Sequence, residues 1–190
     1  MPPIVITPRR FADERGWFSE TYSARSLAQH GIIAEFCQDN QSFSSAAGTV
    51  RGLHFQSPPF AQAKLVRCVS GRIFDVAVDI RRESPTFGQW VGAVLSAEDG
   101  KQLYLPTGYA HGFMTLEPNC VIAYKVDNFY AAEAEGGILW NDPKIGIDWP
   151  KLEISPRLSG KDEKLGSLSE LTVKFPYDGH PLQSLTEIKL

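Results

Sequence analysis

The chain has 190 residues, of which 22% are charged and 43% hydrophobic, and its formal net charge at pH 7 is −3. This length suits one domain with a sizeable core, and the lack of a basic excess argues against nucleic acid as a partner. No apolar run approaches the roughly 20 residues that span a membrane, and the N-terminus lacks the pattern of a signal peptide. Three scattered cysteines, Cys37, Cys68 and Cys120, fit reduced thiols better than a disulfide framework. We therefore expect a single cytoplasmic domain over residues 1–190 that binds neither nucleic acid nor a membrane.

The predicted secondary structure is mostly β-strand. Residues 22–31 fit a short helix that ends at Gly31, and strand patterns dominate from residue 36 to about 130. The strand-like runs cover residues 65–69, 73–80, 89–95, 102–105, 111–116 and 120–126. Ser70-Gly71, between the first two runs, is a hairpin-like break. Many short strands at this spacing predict an antiparallel sandwich or barrel, of which a jelly roll is one form.

The last third of the chain has a different character. Beyond residue 140 it is rich in proline, glycine and charged residues, which predicts loops and short helices packed on the outside of the strands.

The segment Val50–Gln56 has the pattern of a β-strand, yet it carries Arg51 and His54, and Lys64 follows ten residues after the histidine. An arginine suits a phosphate, a histidine takes up a proton near neutral pH, and a lysine stabilises a developing oxyanion. Together they describe a site that binds an anionic substrate and removes a proton from it. The alternative is a strand whose charged residues face solvent.

Other polar clusters fit a site as well, but each also has a structural interpretation when taken alone. Residues 13–20 form a charged segment that also suits a polar turn. Residues 38–42 form an amide-rich run that suits a sugar or a base edge, or again a turn. His111 begins a strand, where a structural histidine is the commoner case. Tyr124 and Tyr130 lie in a strand and its exit loop, where tyrosines usually belong to the core or an edge.

The histidine spacing argues against a metal centre. The four histidines, His30, His54, His111 and His180, are far apart, with no H-x-H and no H-E-x-x-H pair. His54 and His111 could converge in space, but neither has an acidic partner nearby at ligand spacing. The sequence also lacks G-x-G-x-x-G, a P-loop and G-x-S-x-G, which argues against a Rossmann site, a P-loop NTPase and a serine nucleophile. We therefore expect chemistry without metal or cofactor.

Short motifs follow one another in a specific order from about residue 4 to 165. They are F-x-D-x-R-G-x-F at 11–18, Q-x-N-x-S at 38–42, R-G-L-H-x-Q at 51–56, Q-x-K-L-V at 62–66, G-x-I-x-D-V-x-V-D at 71–79, S-P-T-F-G at 84–88, A-H-G-F at 110–113, Y-K at 124–125, W-N-D-P at 140–143 and L-S-x-K-D at 158–162. Each motif alone is weak, but in this joint order the chain resembles the dTDP-4-dehydrorhamnose 3,5-epimerase family.

The resemblance implies an all-β fold, a cupin-type jelly-roll barrel with short peripheral helices, and a homodimer. It also implies an enzyme of dTDP-L-rhamnose biosynthesis that works without metal or nucleotide cofactor. The implied reaction converts dTDP-4-dehydro-6-deoxy-D-glucose to dTDP-4-dehydro-L-rhamnose. Protons at C3 and C5 would be removed and returned through an enolate, because the C4 ketone makes both hydrogens acidic.

Four residues match the catalytic positions of the family. His54 corresponds to the general base, and Asp162 to the carboxylate that orients it. Lys64 corresponds to the cation beside the ketone oxygen, and Tyr124 to the acid on the opposite face of the sugar. The implied substrate-binding residues are Arg15, Phe18, Glu20, Gln38, Asn40, Arg51, His111, Tyr130, Glu135 and Lys161. Among them, Tyr130 corresponds to a residue that stacks on the thymine, and the N-terminal residues of the family reach a neighbouring subunit's site.

Three alternatives remain at this point. Relatives that epimerise only C3 or only C5 keep the same histidine, lysine and tyrosine. A catalytically silent sugar-nucleotide-binding cupin would lack His54, Tyr124 or Asp162, and all three are present. A metal-dependent cupin oxygenase is disfavoured by the absent H-x-H motif.

Overall fold

The computed structural model describes residues 1–190 and contains thirteen β-strands, one α-helix and three short 3-10 helices. The strands are β1 (Ile4–Thr7), β2 (Arg10–Asp13), β3 (Gly16–Ser19), β4 (Gln38–Ser44), β5 (Val50–Gln56), β6 (Lys64–Ser70), β7 (Arg72–Asp79), β8 (Trp90–Ser96), β9 (Gln102–Leu105), β10 (Tyr109–Thr115), β11 (Cys120–Val126), β12 (Glu135–Gly137) and β13 (Thr186–Lys189). The helix is α1 (Ala24–Gln29), and the 3-10 helices cover Ala132–Ala134, Asp162–Lys164 and Leu168–Glu170.

Eleven of the strands form two sheets that pack face to face. The six-stranded sheet has the order β13-β1-β9-β6-β11-β4, and the five-stranded sheet has the order β12-β5-β10-β7-β8. All neighbours are antiparallel except β1 and β13. Strands β2 and β3 form a separate hairpin. This arrangement confirms the expected all-β, cupin-type jelly roll.

The core between the sheets follows from the alternation of side chains along each strand. Val66 and Ile122 of the six-stranded sheet pack with Ile73 and Phe113 of the five-stranded sheet, and all are at most 4% exposed. Burying a large apolar side chain contributes about 1.5–3 kcal/mol to folding, so this layer is a main source of stability. The same interior also admits polar side chains at one end, where the candidate site lies.

The five-stranded sheet is buried on both faces, because the C-terminal third of the chain covers its outside. Val76 and Val78 face outwards from β7 and pack against Ile138, Leu168 and Phe175. A strand buried on both faces reads as a continuous apolar run, which explains the Val76–Val78 sequence. The expected loops and short helices beyond residue 140 are confirmed, although β13 within them was not predicted.

The strand-like runs all correspond to strands, with bounds that differ by no more than two residues. The amide-rich run at residues 38–42 belongs to strand β4 and is not a turn. The helix is shorter than predicted: α1 begins after Ser23, whose side chain accepts a hydrogen bond from the Ser26 backbone, and the chain turns at Gly31.

The hairpin-like break at Ser70-Gly71 was interpreted wrongly. Strand β6 pairs with β9 and β11, whereas β7 pairs with β8 and β10, so the two strands belong to different sheets. Gly71 has φ +80°, and a Cβ atom there would lie 2.5 Å from Cys120 Sγ. The glycine therefore marks a tight corner against the core, a turn signal that does not reveal whether the strands it joins are paired.

The fold brings distant parts of the sequence to one end of the barrel. His54 on β5 and His111 on β10 come from the five-stranded sheet, and Lys64 on β6 and Tyr124 on β11 come from the six-stranded sheet. Asp162 approaches them from the 3-10 helix Asp162–Lys164. The helices of the protein are short, and none has the length and apolar character of a membrane span.

Candidate active site

His54 and His111 are directly opposite each other in the antiparallel pair β5–β10. The two strands approach so closely beside them that a Cβ atom on Gly52 would lie 2.6 Å from Gly112 Cα. Gly52 also has φ +124°, a conformation that L side chains rarely adopt. The glycines of the R-G-L-H and A-H-G-F motifs therefore serve to pair the two histidine strands.

His54 forms a hydrogen bond with Asp162, with 2.6 Å between Nε2 and Oδ1. The Asp162 side chain is 5% exposed, and its backbone N–H donates to Ser159 Oγ. A carboxylate only accepts, so Nε2 carries the proton and Nδ1 keeps a free lone pair. Burial lowers the pKa of His54 below its ordinary value, although the bond to Asp162 acts in the opposite direction. The imidazole is therefore neutral at pH 7 and able to act as a base.

Lys64 provides a cation with no carboxylate in contact. Its ammonium group is absent from the ion pairs of the protein. Burial lowers the pKa of Lys64 to about 8, while the carboxylates of Asp75 and Glu135 raise it through space. The lysine thus stays charged at neutral pH and is free to interact with an oxyanion.

Tyr124 lies on β11 and faces the same cavity as His54. Burial raises the pKa of its phenol above the ordinary value, against the influence of Arg51, and no hydrogen bond contributes to the shift. The phenol is therefore protonated at neutral pH and is not tied to a neighbouring group. The Tyr124 hydroxyl has no hydrogen-bond partner within the protein, so the structure does not support a purely structural role for it.

His111 has its own carboxylate partner, Asp75, which sequence reasoning missed. The distance between His111 Nε2 and Asp75 Oδ1 is 2.7 Å, and Asp75 is fully buried. The pairing of His54 with Asp162 agrees with the predicted orienting carboxylate, whereas Asp75 was not predicted as the partner of His111 because it comes from a remote segment. A signal did exist: Asp75 shares the inward face of β7 with Ile73 and Ala77, where a lone carboxylate needs a partner.

These side chains surround a cavity with two lobes, of about 140 and 250 Å³. Both lobes are lined by His54, Lys64 and Tyr124. The outer lobe is further lined by Gln38, Asn40, Phe55, Gln56, Gln62, Tyr130 and Glu135. The inner lobe is further lined by Ser42, Arg51, His111, Phe113, Ser159, Lys161 and Asp162.

Five of the predicted binding residues are connected in one hydrogen-bonded network at the rim. Lys161 contacts Glu135 at 2.5 Å, and Glu135 accepts a hydrogen bond from the Tyr130 hydroxyl at 2.9 Å. The Tyr130 backbone N–H donates to Gln38, whose amide donates to Asn40. The ion pair with Lys161 holds the pKa of Glu135 below its ordinary value. The rim is thus ordered by its own contacts.

Arg51 is held beside the inner lobe by neighbouring groups of β4. Its Nε donates to Ser44 Oγ at 3.2 Å and its Nη2 to the Phe43 carbonyl at 3.0 Å. No carboxylate pairs with this guanidinium, which leaves its charge available to an anion.

Three predicted binding residues, Arg15, Phe18 and Glu20, lie outside this cavity in the single chain. Arg15 is exposed and pairs with Asp13 at 2.6 Å, and Phe18 is 69% exposed. They belong to the β2–β3 hairpin and the residue that follows it. The structure therefore does not bring these three residues to His54 of the same chain.

No group of three or more histidine, cysteine, aspartate or glutamate side chains in the chain has the arrangement of a metal site. What the cavity does contain is a neutral base, a protonated phenol and an ammonium group. This set suits proton transfer next to a carbonyl group.

Comparison with known proteins agrees with this chemistry. The sequence profile of the dTDP-4-dehydrorhamnose 3,5-epimerase family matches residues 3–170. The curated enzyme of that name from Sinorhizobium fredii is 53% identical over 173 residues, which cover 91% of this chain and 88% of the relative. The enzyme from Salmonella typhimurium is 52% identical, with 84% and 86% covered.

Solved structures of the same enzyme family are also similar to this chain. The epimerase from Bacillus anthracis, crystallised with TDP and PPi, has a TM-score of 0.84 and 48% identity, with 87% of this chain and 93% of that chain covered. The enzyme from Legionella pneumophila, in complex with dTDP-4-keto-L-rhamnose, has a TM-score of 0.86 and 43% identity, with 91% and 93% covered. The family profile matches most of the chain, and curated members are about 50% identical to it. This chain therefore belongs to the dTDP-4-dehydrorhamnose 3,5-epimerase family.

Proposed function

We propose that this protein converts dTDP-4-dehydro-6-deoxy-D-glucose to dTDP-4-dehydro-L-rhamnose by inverting C3 and C5 of the sugar. The observation that carries the proposal is the placement of base and acid on opposite walls. His54 projects from the five-stranded sheet, and Tyr124 projects from the six-stranded sheet into the same cavity. A sugar ring between the walls would present one face to each group, as inversion requires.

The first step is removal of a proton by His54. Nδ1 takes the hydrogen from C3 or C5, and the electron pair of the broken C–H bond moves to the C4 oxygen, which becomes an enolate. Asp162 stabilises the imidazolium that forms and keeps the ring oriented. The ammonium group of Lys64 stabilises the negative charge on the C4 oxygen, with no competing carboxylate in contact.

The second step is return of a proton from the other wall. Tyr124 is neutral at physiological pH because burial raises its pKa, so it has a proton to donate to the enolate carbon. The product then has the opposite configuration at that carbon. His54 releases its proton and Tyr124 regains one before the next centre reacts.

The remaining lining residues form the binding shell in this proposal. Arg51 and Lys161 supply positive charge for the diphosphate. His111 donates its Nε2–H to Asp75, which leaves Nδ1 as an acceptor for a hydroxyl group of the substrate. Tyr130 at the rim is exposed and available to stack on the thymine. Gln38, Asn40 and Glu135 offer polar contacts to the nucleoside.

We also propose a homodimer in which the β2–β3 hairpin completes the site of the partner. The hairpin exposes Phe11, Trp17 and Phe18, and apolar surface of this kind marks an interface. Strand β4 is an edge of the six-stranded sheet and carries Gln38 and Asn40 of the site. A hairpin that docks on the partner's β4 would add strands to that edge and bring its aromatic side chains to the cavity.

We further propose a domain organisation and a cellular location for the protein. Residues 1–190 form one domain, which is supported by β1 near the start of the chain pairing with both β9 and β13. The cytoplasm is the proposed location, which is supported by three cysteines that are all unpaired.

Epimerisation at both carbons is favoured over a single-carbon reaction. The 3′-monoepimerase from Streptomyces bikiniensis is 32–33% identical to this chain, whereas relatives named 3,5-epimerase are 39–53% identical. The catalytic set is complete, which speaks against a silent binding protein.

Exchange of sugar hydrogens with deuterated water tests the function directly. Wild-type protein should incorporate deuterium at both C3 and C5 of the dTDP-4-keto sugar, as followed by NMR. His54→Ala should lower both exchange rates by about 10²–10⁴-fold, because the base is lost, while dTDP still binds. Asp162→Asn should lower them less severely. Exchange by His54→Ala at a rate near that of the wild type would rule out its role as base.

Tyr124→Phe should separate exchange from inversion. The enolate still forms, so deuterium returns to the face that His54 serves, but the acid for the other face is missing. Inversion should fall by about 10²–10⁴-fold, and exchange should fall far less. Both rates are measured on one sample. If they fall in parallel, or if neither falls, Tyr124 is not the acid.

The pH dependence of kcat/KM should reflect the titration of Lys64. Activity needs a neutral His54, whose pKa lies below the ordinary 6.5, and a charged Lys64, whose pKa is about 8. The value of kcat/KM should therefore be high near pH 7 and fall as the pH rises through about 8, where the ammonium loses its proton. In Lys64→Gln the residual activity should lack this decrease. A wild-type profile that stays flat up to pH 10 would contradict the role of Lys64.

Mixed dimers test the hairpin. Arg15→Ala/Phe18→Ala and His54→Ala should each be almost inactive alone. After equal mixing and subunit exchange, one site of each mixed dimer combines an intact cavity with an intact hairpin, which gives about a quarter of the wild-type activity. Two chains that both carry His54→Ala are the control. Absence of recovery in dimers shown to have exchanged would place the hairpin in its own chain's site or outside any site.

A further inference from the structure

Two buried side-chain polar atoms in the protein lack a hydrogen-bond partner, Ser42 Oγ and Asp75 Oδ2. Buried polar atoms in native proteins nearly always have partners, so an exception needs a reason. The carboxylate of Asp75 is already engaged through its other oxygen by His111. The hydroxyl of Ser42, in contrast, has no contact that would explain a polar residue there.

Ser42 lies in the wall of the inner lobe. On β4 it pairs with Ile122, two residues along the strand from the pair of Asn40 and Tyr124 and on the same face. Ser44, the next residue on the same face, has a structural function, since it accepts a hydrogen bond from Arg51. The two serines therefore differ: one supports the guanidinium, and the other is unused in the free protein.

We propose that Ser42 is a substrate-binding residue whose hydroxyl hydrogen-bonds the hydroxyl group on C2 of the hexose. The inference rests on the proposed function. Ser42 lines the same lobe as His54, Lys64 and Tyr124, and its strand neighbour Asn40 pairs with Tyr124, so a sugar held between the base and the acid is within reach of the Ser42 hydroxyl. A serine both donates and accepts, and rotation about its Cα–Cβ bond swings the hydroxyl between staggered positions in the lobe wall.

The choice of C2 follows from the reaction. The C4 oxygen is the group that Lys64 stabilises, C6 has no hydroxyl, and the C3 hydroxyl changes its direction when C3 inverts. The C2 hydroxyl alone keeps its configuration from substrate to product. A hydrogen bond to the C2 hydroxyl holds the ring in place while the configuration at C3 is inverted. It also makes the enzyme selective for sugars that carry this hydroxyl.

The test compares Ser42→Ala with wild type on two substrates. The variant loses a hydroxyl without leaving a protein partner unsatisfied, so folding should be intact. With the full dTDP-4-keto sugar, kcat/KM should fall about 3- to 10-fold, the usual value of one hydrogen bond. With the analogue that lacks the C2 hydroxyl, variant and wild type should have equal kcat/KM, and the Kd of dTDP should be unchanged. Ser70→Ala, at an exposed strand end, is the matched control and should behave as wild type.

Three results would overturn the assignment. Equal kcat/KM of variant and wild type on the full substrate would show that Ser42 makes no contact. An equal loss on both substrates would show that its effect does not involve C2. A weaker Kd for dTDP of the same factor would place the hydroxyl at the diphosphate. Failure of the proposed function is distinct, because wild type itself would then exchange no hydrogen of the full substrate, and the Ser42 assignment would fall with it.

Discussion

The close contact between strands β5 and β10 is the constraint on which the site depends. Gly52 and Gly112 have no side chains, and only for that reason can the two backbones meet beside His54 and His111. A methyl group at either position would push the strands apart and carry the two imidazoles with them. His54 would then lose its distance to Asp162, and the base would lose its orientation. The packing of two glycines thus sets the position of the histidine that we propose as the base.

A jelly roll is well suited to inversion because its two sheets form two walls. Side chains that point inwards from opposite sheets face each other across the interior, at a separation that the core packing fixes. Here His54 comes from one wall, and Tyr124 and Lys64 come from the other. Lys64 and Tyr124 are on adjacent, hydrogen-bonded strands, so the distance between the ammonium group and the phenol is fixed by the sheet. The placement of these three side chains is therefore a consequence of the layer architecture.

Sequence reasoning found the parts of the site that local pattern controls. His54 was identified as a polar side chain within a strand-like run, and the strands themselves followed from alternation. Tyr124 was identified only through the resemblance to the epimerase family. The partnership of His111 with Asp75 was missed, since pairing across β7 and β10 depends on register, which no local pattern specifies. For the same reason the turn at residues 70–71 was assigned to a hairpin, although it joins two sheets. Residues of the β2–β3 hairpin were expected at the site, but a single chain does not bring them there.

Three polar groups in the cavity wall and behind it have a consequence for the stability of the protein. The Lys64 ammonium has no counter-ion in contact, and Asp75 Oδ2 and Ser42 Oγ lack partners. Folding removes these groups from water before any substrate is present, so the free chain is less stable than the same fold with an apolar interior. A bound ligand that supplies hydrogen-bond partners to these groups recovers this free energy, and the recovered free energy contributes to the affinity of the ligand. The apolar packing elsewhere in the barrel offsets the cost of these groups, so the site lowers the stability of the fold that holds it.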